Sequence, residues 1–66
     1  MNLNADETAI LEALCQGLKR REAMSALRLS AFKFARYLED ARLRNDSATN
    51  FELVSKYTAW RVRQGR

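Results

Sequence analysis

Residues 30–44 read SAFKFARYLEDARLR. At 3.6 residues per turn, Phe34, Tyr37, Leu38 and Ala41 share one face. Phe32, Lys33, Ala35, Arg36, Glu39 and Arg42 lie on or beside the other. Ser30 is a suitable N-cap, because its hydroxyl can accept from the free N–H groups of a first helical turn. The stretch therefore predicts a helix with an apolar inner face and a mixed, cationic outer face. A second helical pattern, residues 20–27, precedes it, with only Arg28 and Leu29 between. Two short helices joined by a tight turn, the second presenting Arg and Lys, describe a helix-turn-helix.

Working outward, Leu3, Asn4 and Glu7 open an earlier helix. Asn4 is its cap, Glu7 completes a capping box three residues on, and Asp6 and Glu7 suit the positive end of the helix dipole. Ala9, Ile10, Ala13, Leu14 and Leu18 form its apolar stripe. Gly17 stops it by supplying a positive φ. The following helix has Ala23, Met24 and Leu27 as inward residues but no good cap, since Lys19 precedes it. Lys19, Arg20 and Arg21 crowd its N-terminal end, against the dipole. Such a locally unfavourable choice points to phosphate contact. The plain alternative is that Arg20 or Arg21 pairs with Glu22 or an acid of the first helix. On the other side of residues 30–44, Asn45 to Ala48 is a polar turn. Thr49 and Glu52 repeat the capping-box spacing and open a last helix with Leu53, Val54, Tyr57 and Trp60 on a stripe. Phe51 and Trp60 exceed what a small core accommodates, so that helix is expected to offer a partner surface. Arg61, Arg63, Gln64, Gly65 and Arg66 read as a frayed basic tail.

The expected architecture is all-α: a single helix-turn-helix domain over residues 1–66, with four helices at about 5–16, 20–27, 31–44 and 50–62. A chain of 66 residues buries only about 60% of its unfolded surface, and dimerisation would add stability. Cys15 is the sole cysteine, so no intrachain disulfide forms, and it reads as a small packed side chain rather than a reactive thiol. Histidine is absent, which removes the usual general base and metal ligand. No enzymatic activity, metal or cofactor is expected. No apolar run reaches the 18 or so residues of a membrane span, and no signal-peptide pattern is present. A cytoplasmic protein is expected, with no membrane partner.

The net charge of +4 is unevenly placed. Residues 1–18 carry Asp6, Glu7 and Glu12 and no base. Residues 19–44 carry eight bases against three acids, and residues 45–66 four against two. The excess sits on the helix-turn-helix, as a phosphate-binding surface needs. A merely solvated surface is the competing reading of charge alone.

These features together resemble the C-terminal DNA-binding domain of LuxR/FixJ-type regulators, the GerE-like helix-turn-helix. Leu3, Asn4 and Glu7 match the family's helix opening, Ile10-Leu11 its apolar pair, and Gly17-Leu18 its turn. Glu22 and Leu27 match the second helix and Ser30 the cap of the recognition helix. Phe34 stands where the family keeps Val, Arg44 for its Lys, and Thr49, Glu52 and Val54 for its Ser, Glu and Val. The match runs without a gap from Leu3 to Val54. The departures are Lys19 for Ser, Ala23-Met24 for Ile-Ala, Lys33-Phe34-Ala35 for Thr-Val-Lys, Tyr37 for His, and Asn45-Asp46-Ser47 for Leu-Gly-Val. Ala35 and Glu39 replace positions with which members read bases, removing one cation and adding one acid. Sigma-factor region 4 is the neighbouring relative, sharing an Ala-Arg-x-Arg ending at Ala41–Arg44, but the separate capped fourth helix favours LuxR/FixJ.

The resemblance implies a divergent, free-standing transcriptional regulator that binds double-stranded DNA as a homodimer. Base contact is expected from Arg36, Phe32, Ala35 and Glu39, with Arg36 bidentate to guanine. Phosphate contact is expected from Lys19, Arg20, Arg21, Lys33, Arg42 and Arg44. Val54, Tyr57, Trp60 and Arg61 are expected at the dimer interface. The alternative is a protein-interaction module that pairs with a full-length regulator or RNA polymerase.

Overall fold

The computed structural model describes residues 1–65. Four helices follow in order: α1 (Ala5–Cys15), α2 (Arg20–Leu27), α3 (Ala31–Arg44) and α4 (Asn50–Gln64). No strand occurs among the described residues. The all-α, four-helix class stands as expected. The differences are at ends: α1 stops one residue earlier, and α4 continues through Arg61 and Arg63 to Gln64. The expected frayed tail is therefore helical, apart from Gly65 and from Arg66, which lies outside the described residues.

Each helix start follows from local chemistry. Asn4 Oδ1 accepts from Glu7 N–H at 2.8 Å and Glu7 Oε1 accepts from Asn4 N–H at 3.0 Å, a complete capping box. Ser30 Oγ accepts from Lys33 N–H at 3.1 Å, and Thr49 Oγ1 from Glu52 N–H at 3.1 Å. The Glu52 carboxylate reaches one residue further back than expected, to Ala48 N–H. Lys19 offers no capping side chain, but Glu22 Oε1 accepts from its N–H at 2.8 Å.

The first three helices end by one device. In α1, Leu18 N–H donates to the Ala13 carbonyl and Gly17 N–H to that of Leu14, with Gly17 at φ 96°. The same paired bonds close α2 around Arg28 (φ 56°) and α3 around Asp46 (φ 58°). All three are Schellman motifs, which satisfy carbonyls the helix leaves orphaned. Only the first uses glycine.

The core is Ile10 and Leu11 of α1, Ala23 of α2, Phe34, Leu38 and Ala41 of α3, and Leu53 and Tyr57 of α4. Helix α1 touches all three others, and α3 also packs on α4. Phe34 is the largest fully buried side chain. Complete burial of such a ring favours folding by about 2–3 kcal/mol, so the inward face of α3 orients the whole helix. The α1 stripe is wider than its spacing indicated, because Leu11 is as buried as Ile10.

Candidate nucleic-acid interface

With Phe34, Leu38 and Ala41 inside, α3 turns the opposite face outward. Phe32, Ala35, Arg36 and Glu39, the four expected base-contact residues, are all exposed there. Phe32 is 74% exposed, and Leu43, on the same face further along, 64%. Arg36 Nε lies 3.7 Å from the Asp40 carboxylate. Both side chains are open to solvent, so this contact holds Arg36 weakly.

Helix α2 meets α3 through Arg20. Its guanidinium sits 5.1 Å from the centre of the Phe34 ring, a cation–π contact that covers the core from outside. The contact ties the start of α2 to the buried face of α3. Lys19, Arg20 and Arg21 stand at the start of α2 and Lys33 in the first turn of α3. All four are exposed, and none forms a salt bridge among the described residues. Glu22, the nearest acid in the chain, is engaged with the Lys19 backbone. The alternative pairing of Arg20 or Arg21 with Glu22 or with α1 is not found. Arg28, in the turn between α2 and α3, is a further exposed cation without a salt bridge among the described residues.

Two residues expected at phosphates, Arg42 and Arg44, make internal bonds. Arg44 grips the carboxylate of Glu7 with both Nη atoms, one at 2.7 Å, and also donates to the Asn2 carbonyl at 3.0 Å. Glu7 is 1% exposed. The Arg44 guanidinium and the Asn4 N–H hold its carboxyl below the ordinary value, against the effect of burial. Arg42 donates to the Ser47 and Ala48 carbonyls at 3.4 and 3.2 Å, steadying the α3–α4 turn.

Of the four residues expected at a dimer interface, Tyr57 is corrected. Tyr57 is 3% exposed and belongs to the core. Its hydroxyl donates to Glu12 Oε1 at 2.7 Å, which Arg61 Nε also reaches at 2.8 Å. These bonds, with one from Gln16, pull the Glu12 carboxyl down to about 2. Burial first, and the Glu12 carboxylate second, push the Tyr57 hydroxyl up to about 12. Val54 and Trp60 are half-buried against the core, the Trp60 ring 5.8 Å from that of Tyr57. The stripe read from Leu53 to Trp60 is therefore the inner face of α4. Its outer face carries Phe51, Ser55, Ala59 and Val62, all exposed and all uncharged, with Phe51 82% and Val62 59% exposed. The signal for it was present as a second helical stripe starting at Phe51.

Among the described residues there is no pocket, no cluster of His, Cys, Asp or Glu able to hold a metal, and no helix long and apolar enough to cross a membrane. The chain matches no family model, no curated protein and no solved structure.

Proposed function

We propose that this chain is a small transcriptional regulator of LuxR/FixJ-like type that binds double-stranded DNA in the cytoplasm, with α3 in the major groove. The observation that carries the reading is the Arg20–Phe34 contact. It ties the start of α2, with Lys19, Arg20 and Arg21, to the helix that carries Lys33, and none of these four cations forms a salt bridge among the described residues. Lys19, Arg20, Arg21 and Lys33 contact phosphates and set the docking register. Arg36 exchanges its loose contact with Asp40 for the O6 and N7 acceptors of guanine, and Glu39 accepts from the amino group of cytosine. Two copies associate through the uncharged outer face of α4 and read a pseudo-palindromic site.

The test begins with duplexes selected from a random pool, titrated by fluorescence anisotropy. Arg36→Ala should bring affinity for the selected site close to that for random duplex. Arg21→Ala should weaken both alike. Retained discrimination in Arg36→Ala overturns its base-reading role.

A second reading has its own support. Glu39 and Asp40 oppose the cations of α3, while Phe32 and Leu43 expose apolar surface on that helix. Such a face also fits a protein partner, a full-length regulator or RNA polymerase. Absence of any duplex binding at low salt, with capture of purified regulator, selects this reading.

A further inference from the structure

Phe32 is the most exposed large apolar side chain of α3. It sits in a charged setting, next to Lys33, one turn before Arg36, and two residues before the ring that Arg20 covers. Phe32, Ala35, Arg36 and Glu39 occupy positions i, i+3, i+4 and i+7, so they form one continuous outward stripe. A helix entering the major groove leads with its N-terminal residues. Phe32, Ala35 and Arg36 all lie in the first two turns of α3. Leu43 lies eleven residues beyond Phe32, about 16 Å further along the axis.

The major-groove edges of the bases offer donors, acceptors and a single apolar group, the C5-methyl of thymine. A phenyl ring gains nothing against the polar edges of guanine or adenine. Against a methyl group it removes apolar surface from water on both sides. We propose that Phe32, backed by the small side chain of Ala35, recognises the C5-methyl group of a thymine adjacent to the guanine taken by Arg36. The class of site is thus a duplex carrying a 5-methylpyrimidine beside a G·C pair. The inference rests on the DNA-binding reading above and names what that reading leaves open, the determinant of specificity besides Arg36.

The experiment uses the selected duplex and the same duplex with each thymine replaced by uracil, which deletes only methyl groups. Loss of one contacted methyl should weaken binding about fourfold, and loss of one in each half-site of a dimer about fifteenfold. Phe32→Ala should weaken the thymine duplex to a similar extent and bring the thymine-to-uracil ratio to one, as a double-mutant cycle requires for a direct contact. Leu43→Ala should leave the ratio as in the wild type. Both side chains are exposed, so neither substitution opens the core. Restoring the methyl by placing 5-methylcytosine, paired with guanine, at the sensitive position should recover part of the lost affinity. A ratio of one in the wild type, or a ratio that survives Phe32→Ala, overturns the methyl contact and leaves DNA binding standing. Equal or tighter binding of the single strand overturns it too, because the ring then stacks on unpaired bases. Absence of duplex binding at low salt removes both the contact and the reading beneath it.

Discussion

Raising the salt concentration tests the proposed interface directly, because the proposal names the number of charges involved. The proposal counts four phosphate contacts, Lys19, Arg20, Arg21 and Lys33, because Arg44 is engaged by Glu7 and Arg42 by the α3–α4 turn. Each neutralised phosphate releases about 0.9 of a counterion, so four give a slope of log K against log salt near −3.6 per protomer, and a dimer near −7. Between 50 and 200 mM salt a single protomer would lose affinity by about 150-fold, and a dimer by about four powers of ten. Anisotropy titrations of a fluorescent duplex at five or six salt concentrations measure the slope, with protein concentration varied to fix the bound stoichiometry. Arg21→Ala should reduce its magnitude by about 0.9 per protomer. Lys56→Ala should leave it unchanged, since Lys56 lies on α4, bonded to Glu52 and to the Asn45 and Asp46 carbonyls. A slope shallower than −2, or equal effects of the two substitutions, refutes the claim that the α2–α3 edge is the phosphate-binding surface.

Three other outcomes follow from bonds already described. Arg44→Met leaves the buried Glu7 carboxylate without its cation and should lower the melting temperature at pH 7 by about 15 °C. In the wild type the Glu7 contribution is complete above the ordinary carboxyl value and lost as pH falls below it, because its pKa is lowered. Without Arg44, burial pushes that carboxyl up, so the variant should gain stability between pH 7 and 5; circular-dichroism melts that shift in parallel for both proteins refute this. In a Tyr37→Phe background, absorbance at 295 nm should show Tyr57 ionising at about 12; with the folded pKa raised, its contribution is complete below about pH 10 and lost between there and 12. Phe51→Glu with Val62→Glu should give a monomer by analytical ultracentrifugation with an unchanged helical spectrum, whereas Val54→Ala, on the inner face, should instead lower the melting temperature.

Helix positions were legible because capping is local. Asn4, Ser30 and Thr49 each act within three residues of themselves, and Gly17 marks a backbone turn by its own lack of a side chain. The inward face of α3 was equally plain, since Phe34, Leu38 and Ala41 recur at helical spacing. The fate of the arginines was not. Arg44 meets Glu7 from 37 residues away and Arg61 meets Glu12 from 49, separations at which no periodicity carries information. Arg20 stays outside for a reason of the same kind, since its aromatic partner is in another helix. On α4, two apolar stripes compete, and composition does not rank them. The outcome turns on the Tyr57 hydroxyl, which finds an acceptor in Glu12 and so tolerates burial, while Phe51 is left to solvent.

The left-handed residues at the ends of α2 and α3 have an engineering corollary. Arg28 and Asp46 occupy a conformation that glycine adopts without steric penalty; it costs a residue such as arginine about 1–2 kcal/mol and aspartate less. Replacing both by glycine should make the protein harder to melt. The substitution at 46 removes only an exposed acid at the far end of α3, but the one at 28 deletes a cation from the elbow between the two helices. If that elbow faces a polyanion, Arg28→Gly yields a tougher protein with a weaker grip, and the pair of substitutions separates durability from affinity in one molecule.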